Sequence, residues 1–147
     1  MKNHFHMLVS VRSEELQEEL FQKVDLNSNK LRSPSRHLSN FFNSYTLSIN
    51  KQEDRVGSLF QRPFRRKEVS TDSYFRRLVI YIHQNPVKHR FVSNIEGYPY
   101  SSYHFYFREG ESFLNKNKVL QLFDGIEKFR AAHVEMLEDF DQYPEEA

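Results

Sequence analysis

The sequence predicts an α+β domain, on two observations. Close to the start of the chain, His4 and His6 alternate with Phe5, Met7 and Val9. Successive side chains of a β-strand point to opposite faces, so this alternation is typical of a strand that buries one face. Further along, three segments repeat apolar residues at spacings of three and four, which is typical of amphipathic helices. At 147 residues, the chain has the length of one domain.

The opening strand separates its apolar side chains from its imidazoles. We expect Phe5, Met7 and Val9 to face the core, and we expect His4 and His6 to lie together on the other face. A pair of imidazoles needs partners from elsewhere in the chain before it forms a site. The strand alone therefore leaves the role of the two histidines open.

Two helices and a strand or extended segment are predicted next. The segment SEELQEELFQKV offers Ser13 as an N-cap and glutamates in its first turn. A polar loop with Pro34 leads to the second helix, SRHLSNFFNSYTLSI. The apolar stripe of this helix consists of Leu38, Phe41, Phe42, Tyr45 and Ile49. The segment GSLFQRPFRRKEVS, which mixes aromatic and basic residues, then predicts a strand or an extended segment with Pro63 as an irregularity.

The third helix, predicted over STDSYFRRLVIYIHQNP, carries the candidate chemistry. Its core face consists of Phe75, Leu78, Val79 and Ile82. We expect Pro86 to end the helix, because a proline disfavours helical geometry at the residue before it. Tyr81 and Asn85 are four residues apart, so they lie one turn from each other at the edge of the core face. His83 lies roughly opposite Tyr81 and is the poorer candidate for the same site.

The rest of the chain predicts turns and short helices. EGYPYSSYHFYF is rich in turn-forming and aromatic residues, and one or two short helices are expected around KVLQLFDGIEKFRAAHVEML. We expect the acidic end, EDFDQYPEEA, to be disordered. His37, His104 and His133 lie in no motif, so we expect them to be surface or packing residues.

Composition excludes several classes of protein. The chain has no cysteine, which excludes disulfides and thiolate chemistry. We find neither a membrane-length apolar run nor a signal peptide, and we expect a cytoplasmic protein with no membrane partner. Residues 51–90 carry ten Lys and Arg against four Asp and Glu, whereas residues 91–147 carry five against eleven. This asymmetry favours a polyanion-binding middle, with segregated solvated faces as the alternative.

Four segments together resemble one family. MKNHFHMLV is similar to the signature of the HUH single-tyrosine transposases, in which two histidines flank a hydrophobic residue. YIHQNPVKHRFV resembles the nucleophile helix of the REP-associated tyrosine transposase branch. GSLFQRPFRRKEV and YPYSSYHFY match the basic strand and the aromatic segment of that branch, in order and spacing. The resemblance covers roughly residues 1–107, as a partial catalytic domain, and leaves residues 108–147 as a helical extension with an acidic tail.

The resemblance implies a fold, a reaction and a set of residues. The family domain is a ferredoxin-like antiparallel sheet with helices on one face. By match to the motifs, His4, His6 and Asn85 would be metal ligands, and Tyr81 would be the nucleophile. The implied reaction cleaves and rejoins single-stranded DNA, with a hairpin, through a 5′-phosphotyrosine. Two imidazoles and an amide suit Mg²⁺ or Mn²⁺, and the nitrogen ligands favour Mn²⁺.

Basic residues flank the implied site in the sequence and are candidate ligands for DNA phosphates. They are Arg62, Arg65, Arg66, Lys67, Lys88 and Arg90. Phe60, Phe64 and Tyr74 are candidates for stacking on unpaired bases. If these basic residues bind phosphates, DNA affinity falls steeply as the salt concentration rises.

The match departs from the family at its start. Family domains place a strand, a helix and a strand before the paired-histidine strand, and Met1 lies almost on that motif. Three explanations follow: a remnant of a decayed transposase, a start assigned at an internal methionine, or a homodimer whose second copy supplies strands. Transposase activity is therefore one hypothesis. A non-catalytic DNA-binding module and a plain interaction protein are the alternatives.

Overall fold

The computed structural model describes residues 4–23, 33–61, 64–110 and 112–135. These residues form five α-helices and two short 3-10 helices. The α-helices are α1 Glu14–Lys23, α2 Pro34–Gln52, α3 Asp72–Lys88, α4 Lys116–Leu122 and α5 Ile126–Glu135. The 3-10 helices span Ile95–Gly97 and Ser102–Phe107. The three predicted amphipathic helices and the two short C-terminal ones are thereby confirmed, whereas the predicted acidic end lies outside the described residues.

The predicted α+β class, with its ferredoxin-like antiparallel sheet, is wrong. None of the residues that the structure describes forms a β-strand. The opening segment, predicted as a strand, has no regular secondary structure where it is described. The same is true of GSLFQRPFRRKEVS, which excludes the strand of its two predicted alternatives. A sheet requires neighbouring strands that exchange backbone hydrogen bonds, and here the core is made between helices instead.

The chain divides into two compact units. One combines Met1–Leu8 with Lys67–Ala147, and the other spans Val9–Arg66. The core of the first unit is built on α3 and on aromatic residues that follow it. Its buried members are Val79, Ile80, Ile95, Tyr103, Val119, Phe123 and Phe129. Phe129 is fully buried, and its ring centroid lies 4.6 Å from that of Tyr106.

The second unit is held by an aromatic cluster on α2. The ring centroid of Phe42 lies 5.1 Å from that of Phe60 and 5.5 Å from that of Phe64. No residue of α2 is buried, and Phe41 and Tyr45 of its apolar stripe are exposed. The two phenylalanines proposed for base stacking, Phe60 and Phe64, thus pack against this helix.

Helix α3 runs past its proline. Pro86 lies inside the helix, which ends at Lys88, so the predicted end at this residue is wrong. The last turn is closed by backbone donors from beyond the proline, since His89 N donates to Asn85 O at 3.0 Å. Arg90 follows with φ 58°, the left-handed conformation that commonly terminates helices. The expectation that a proline ends the helix failed because a proline removes only its own N–H donor. The N–H groups of the residues after it still donate to carbonyls of the preceding turn.

No helix in the described part of the chain is long and apolar enough to cross a membrane.

Candidate functional site

Helix α3 aligns three polar residues on one face. Tyr81, Asn85 and His89 follow one another at spacings of four, so each lies one turn beyond the last. Thr71 caps the start of the helix by accepting a hydrogen bond from Tyr74 N at 3.2 Å. Tyr81 and Asn85 are buried, whereas His89 is exposed at the helix end.

The two N-terminal histidines lie against this face of α3. The ring centroid of His6 is 5.5 Å from that of Tyr81, and the ring centroid of His4 is 5.7 Å from that of His89. The two histidine rings are themselves 5.2 Å apart. His6 therefore lies level with the first polar turn of the face and His4 with the last. Asn85 occupies the turn between them.

The faces of the opening segment are reversed from the prediction. Phe5, Met7 and Val9 were expected in the core, but they are 50%, 49% and 56% exposed. The histidine side is the half-buried side, and Leu8 on that side packs against the core of the first unit. Alternation fixes which side chains share a face, but the packing partner decides which face is buried.

The side chain of Asn85 is buried without a hydrogen-bond partner. Its residue exposure is 0%, and neither Oδ1 nor Nδ2 has a partner among the described residues. The Nε2 atoms of His4 and His6 are also shielded from solvent. A buried amide with no partner costs about 1–3 kcal/mol, so its presence calls for a ligand or a bound water.

The described residues contain no cluster of three or more His, Cys, Asp or Glu side chains arranged to hold a metal ion. Among the described residues, a metal ion at this site would need the amide oxygen of Asn85 beside the two imidazoles. The donor set would then be two nitrogens and one oxygen, and the remaining positions would be left for water or a phosphate.

The predicted DNA-binding residues are divided between the two units. Lys88 lies with its Nζ 5.6 Å from the ring centroid of Tyr81, and Lys67 Nζ lies 5.1 Å from that of Tyr74. Arg90 is exposed and belongs to the same first unit.

In the second unit, Arg65 is exposed, and Arg66 Nη1 donates a hydrogen bond to Ser35 Oγ. Arg62 lies outside the described residues.

A second polar group, which the sequence did not reveal, lies on another side of α3. His83 Nδ1 and His133 Nε2 are 2.9 Å apart, and His83 Nε2 is 2.8 Å from Ser102 Oγ. His133 Nδ1 lies 2.7 Å from Phe129 O, so this nitrogen donates and Nε2 accepts from His83. Both histidines are buried, and Gln84 Nε2 donates to His133 O at 2.7 Å.

Burial keeps this histidine pair neutral. It is the main cause that lowers the pKa of His83 from 6.5 to about 3, and the charge of His133 lowers the pKa further. Burial also lowers the pKa of His133 to about 4, against the opposing effect of its hydrogen bond to Phe129. The packing role expected for His133 is confirmed, but no local signal links two histidines fifty residues apart.

Comparison with known proteins gives one partial similarity. The chain is 36% identical over 55 residues to a Haemophilus influenzae protein whose name assigns it to the REP-associated tyrosine transposases. The aligned part is 37% of this chain and 31% of that protein, so the chain spans about a third of the relative's length. No family model matches the chain. No solved structure matches it either. The similarity suggests the family and a transposase-like function.

Proposed function

We propose that this chain is a transposase-like protein that cleaves and rejoins single-stranded DNA through Tyr81. The observation that carries the proposal is the ring contact between His6 and Tyr81 at 5.5 Å, one turn from the buried amide of Asn85. The partial similarity to a protein named as a tyrosine transposase supports the same class of function.

In the proposed reaction, Tyr81 Oη attacks the phosphorus of a phosphodiester. The Oη–P bond forms, the bond between phosphorus and the 3′-oxygen breaks, and a 5′-phosphotyrosine and a free 3′-hydroxyl result. The covalent link conserves the energy of the broken bond, so the strand can be rejoined without ATP. The phenol must lose its proton during the attack, because the usual pKa of tyrosine is about 10.

The residues present fit a divalent metal ion, Mg²⁺ or Mn²⁺. His4 and His6 would contribute imidazole nitrogens, and Asn85 would contribute an amide oxygen that has no partner among the described residues. Imidazole ligands favour Mn²⁺ over Mg²⁺. When bound, such an ion would neutralise charge on the non-bridging phosphate oxygens.

Basic residues of each unit are candidate ligands for DNA phosphates. Arg65, Arg66, Lys67 and Arg90 are proposed to contact phosphates, and Arg62 joins them from the sequence alone. A single-stranded substrate with a hairpin is the substrate class that the family resemblance implies. Tyr74, half-buried beneath Lys67, is the remaining candidate for stacking on an unpaired base.

The experiment is a test for a covalent adduct. The purified chain is incubated with Mn²⁺ and a pool of 3′-labelled hairpin oligonucleotides that carry randomised single-stranded flanks, and the products are resolved under denaturing conditions. We expect a labelled protein band in the wild type and none in Tyr81→Phe. Tyr100→Phe is the matched control, because Tyr100 is 86% exposed and lies outside the site.

Each outcome decides between the candidate functions. An adduct that Tyr81→Phe abolishes while DNA binding persists supports the enzyme. Binding without any adduct in either form would overturn the enzyme and leave a DNA-binding module. The absence of both the covalent adduct and DNA binding would favour the third candidate, a plain interaction protein.

A further inference from the structure

Lys88 lies over the proposed nucleophile. It is seven residues after Tyr81 on α3, and two helical turns bring both side chains to the same face. The Lys88 Nζ lies 5.6 Å from the centroid of the Tyr81 ring. Lys88 is exposed, and no carboxylate within the described residues forms an ion pair with it. Among the described residues, the ammonium is therefore not neutralised by an acid.

Two structural roles explain the position of Lys88 only in part. A cation in the last turn of a helix interacts favourably with the helix dipole, and a cation over an aromatic face is attracted by the electron-rich ring. Lys67 makes a similar contact with Tyr74, at 5.1 Å. What distinguishes Lys88 is the tyrosine that it covers, which also contacts His6.

We propose that Lys88 is a catalytic residue, in an inference that rests on the proposed function. Its ammonium contacts the non-bridging oxygens of the phosphate while Tyr81 Oη bonds to phosphorus. A lysine suits this position because it carries a compact charge and three donors on a flexible stem. The same contact would persist in the phosphotyrosine, where it would hold the phosphate for rejoining.

The step balances without a further reactant. The Oη–P bond forms as the bond from phosphorus to the 3′-oxygen breaks, and the electron pair of the broken bond stays on the 3′-oxygen. The phenol proton is released and the 3′-oxygen takes up a proton, so the phosphodiester keeps its single negative charge. Lys88 keeps its proton throughout. Because charge builds up on the phosphoryl oxygens in the transition state, the ammonium stabilises that state more than the bound substrate.

The test separates binding from chemistry. Single-turnover adduct formation is followed with saturating hairpin oligonucleotide and Mn²⁺, and DNA affinity is measured separately by anisotropy. In Lys88→Gln we expect the rate to fall about 100-fold, as for the loss of one preorganised donor, while the dissociation constant changes little. Lys88→Arg retains the charge and should recover part of the rate. Lys118→Gln is the matched control, since Lys118 is exposed on α4.

A substrate with a neutral phosphate analogue distinguishes a catalytic Lys88 from a purely structural one. A methylphosphonate at the cleaved position removes the negative charge, so the defect of Lys88→Gln relative to wild type should shrink. An equal rate in Lys88→Gln and wild type would overturn the inference. A higher dissociation constant for Lys88→Gln, with an unchanged rate at saturating oligonucleotide, would overturn it as well, because Lys88 would then act in binding alone. A wild type that forms no adduct would instead overturn the proposed function.

Discussion

Asn85 is the residue whose burial most directly points to a ligand. Its side chain is fully buried with both polar atoms lacking a hydrogen-bond partner in the described part of the chain. Buried polar side chains in folded proteins are almost always paired, because an unpaired one costs about 1–3 kcal/mol. A residue that persists at such a cost is typical of a functional position, where stability is given up for binding.

We predict that Asn85→Leu stabilises the metal-free chain by about 1 kcal/mol, because leucine removes the cost of the unpaired amide. The same variant should lose the increase in thermal midpoint that Mn²⁺ gives the wild type, since a ligand that binds only the folded state stabilises it. The measurement is thermal unfolding with and without Mn²⁺. Asn117→Leu on the exposed side of α4 controls for added apolar surface.

Two histidine variants test whether the imidazoles of the same site bind Mn²⁺. His4→Ala should also lose the effect of Mn²⁺, whereas His104→Ala should keep it, because His104 is not a proposed ligand and its Nε2 hydrogen-bonds Tyr98 O. Loss of stability in Asn85→Leu, together with an unchanged response to Mn²⁺, would mean that the amide serves packing and not a ligand.

At the scale of elements, α3 and α5 are joined through buried polar groups. The hydrogen bond between His83 and His133 links the two helices directly, and Gln84 adds a second link through the backbone of α5. The same helix that carries Tyr81 is therefore positioned by the C-terminal part of the chain. The hydrogen bond is lost when both histidines are protonated, because two imidazolium groups would have no acceptor between them.

This pair predicts a loss of stability in acid. Above pH 6.5 both histidines are neutral whether the chain is folded or not, so they add no pH dependence. Below that value both histidines are protonated in the unfolded chain but stay neutral in the folded chain. This difference persists until the pH reaches the folded pKa values, about 4 for His133 and about 3 for His83. In this window the free energy of unfolding should fall as the pH falls, by up to about 1.4 kcal/mol per pH unit for each histidine.

The measurement is urea unfolding between pH 7.5 and pH 4.5. His133→Gln removes one titrating group, so its slope with pH should be shallower than that of the wild type. Phe123→Leu is the control, because it disturbs the same core without removing a titrating group and should lower stability equally at each pH. A wild-type slope equal to that of His133→Gln would contradict the prediction.

The helices could be predicted from the sequence, and the packing of the extended segments could not. Helical periodicity is local, so α1, α2 and α3 follow from short windows, and the one-turn spacing of Tyr81 and Asn85 follows with them. A sheet depends on strands distant in the chain, and the residues described here form none. The prediction of the buried face of the opening segment was wrong for the same reason, because that face is set by packing against residues distant in the chain. The approach of His6 to Tyr81 was expected only from the family resemblance.

At the scale of the whole molecule, basic charge is concentrated in the middle of the chain. Residues 51–90 carry ten basic residues against four acidic ones, whereas the following residues are acidic. The proposed phosphate ligands fall in both units, with Arg65 and Arg66 in one and Lys67 in the other. If one DNA strand uses both sets, then each set contributes separately to the salt dependence of binding.

We predict that the affinity for single-stranded DNA falls steeply with salt, because each neutralised phosphate releases counterions. The logarithm of the association constant should fall linearly with the logarithm of the salt concentration, with a slope of about −0.7 for each phosphate contacted. Arg65→Gln with Arg66→Gln should make the slope shallower by about 1.4, as two lost contacts require. Anisotropy titrations at several salt concentrations measure these slopes.

The control for this prediction is a pair of lysines outside the proposed surface. Lys116→Gln with Lys118→Gln removes the same formal charge from α4, so a general effect of net charge would change both double variants alike. An unchanged slope in the lysine variant and a shallower one in the arginine variant would place the second unit on the DNA. A slope near zero in the wild type would exclude phosphate binding by the basic middle of the chain. In that case the asymmetry of charge would reflect solvated faces and not a nucleic-acid surface.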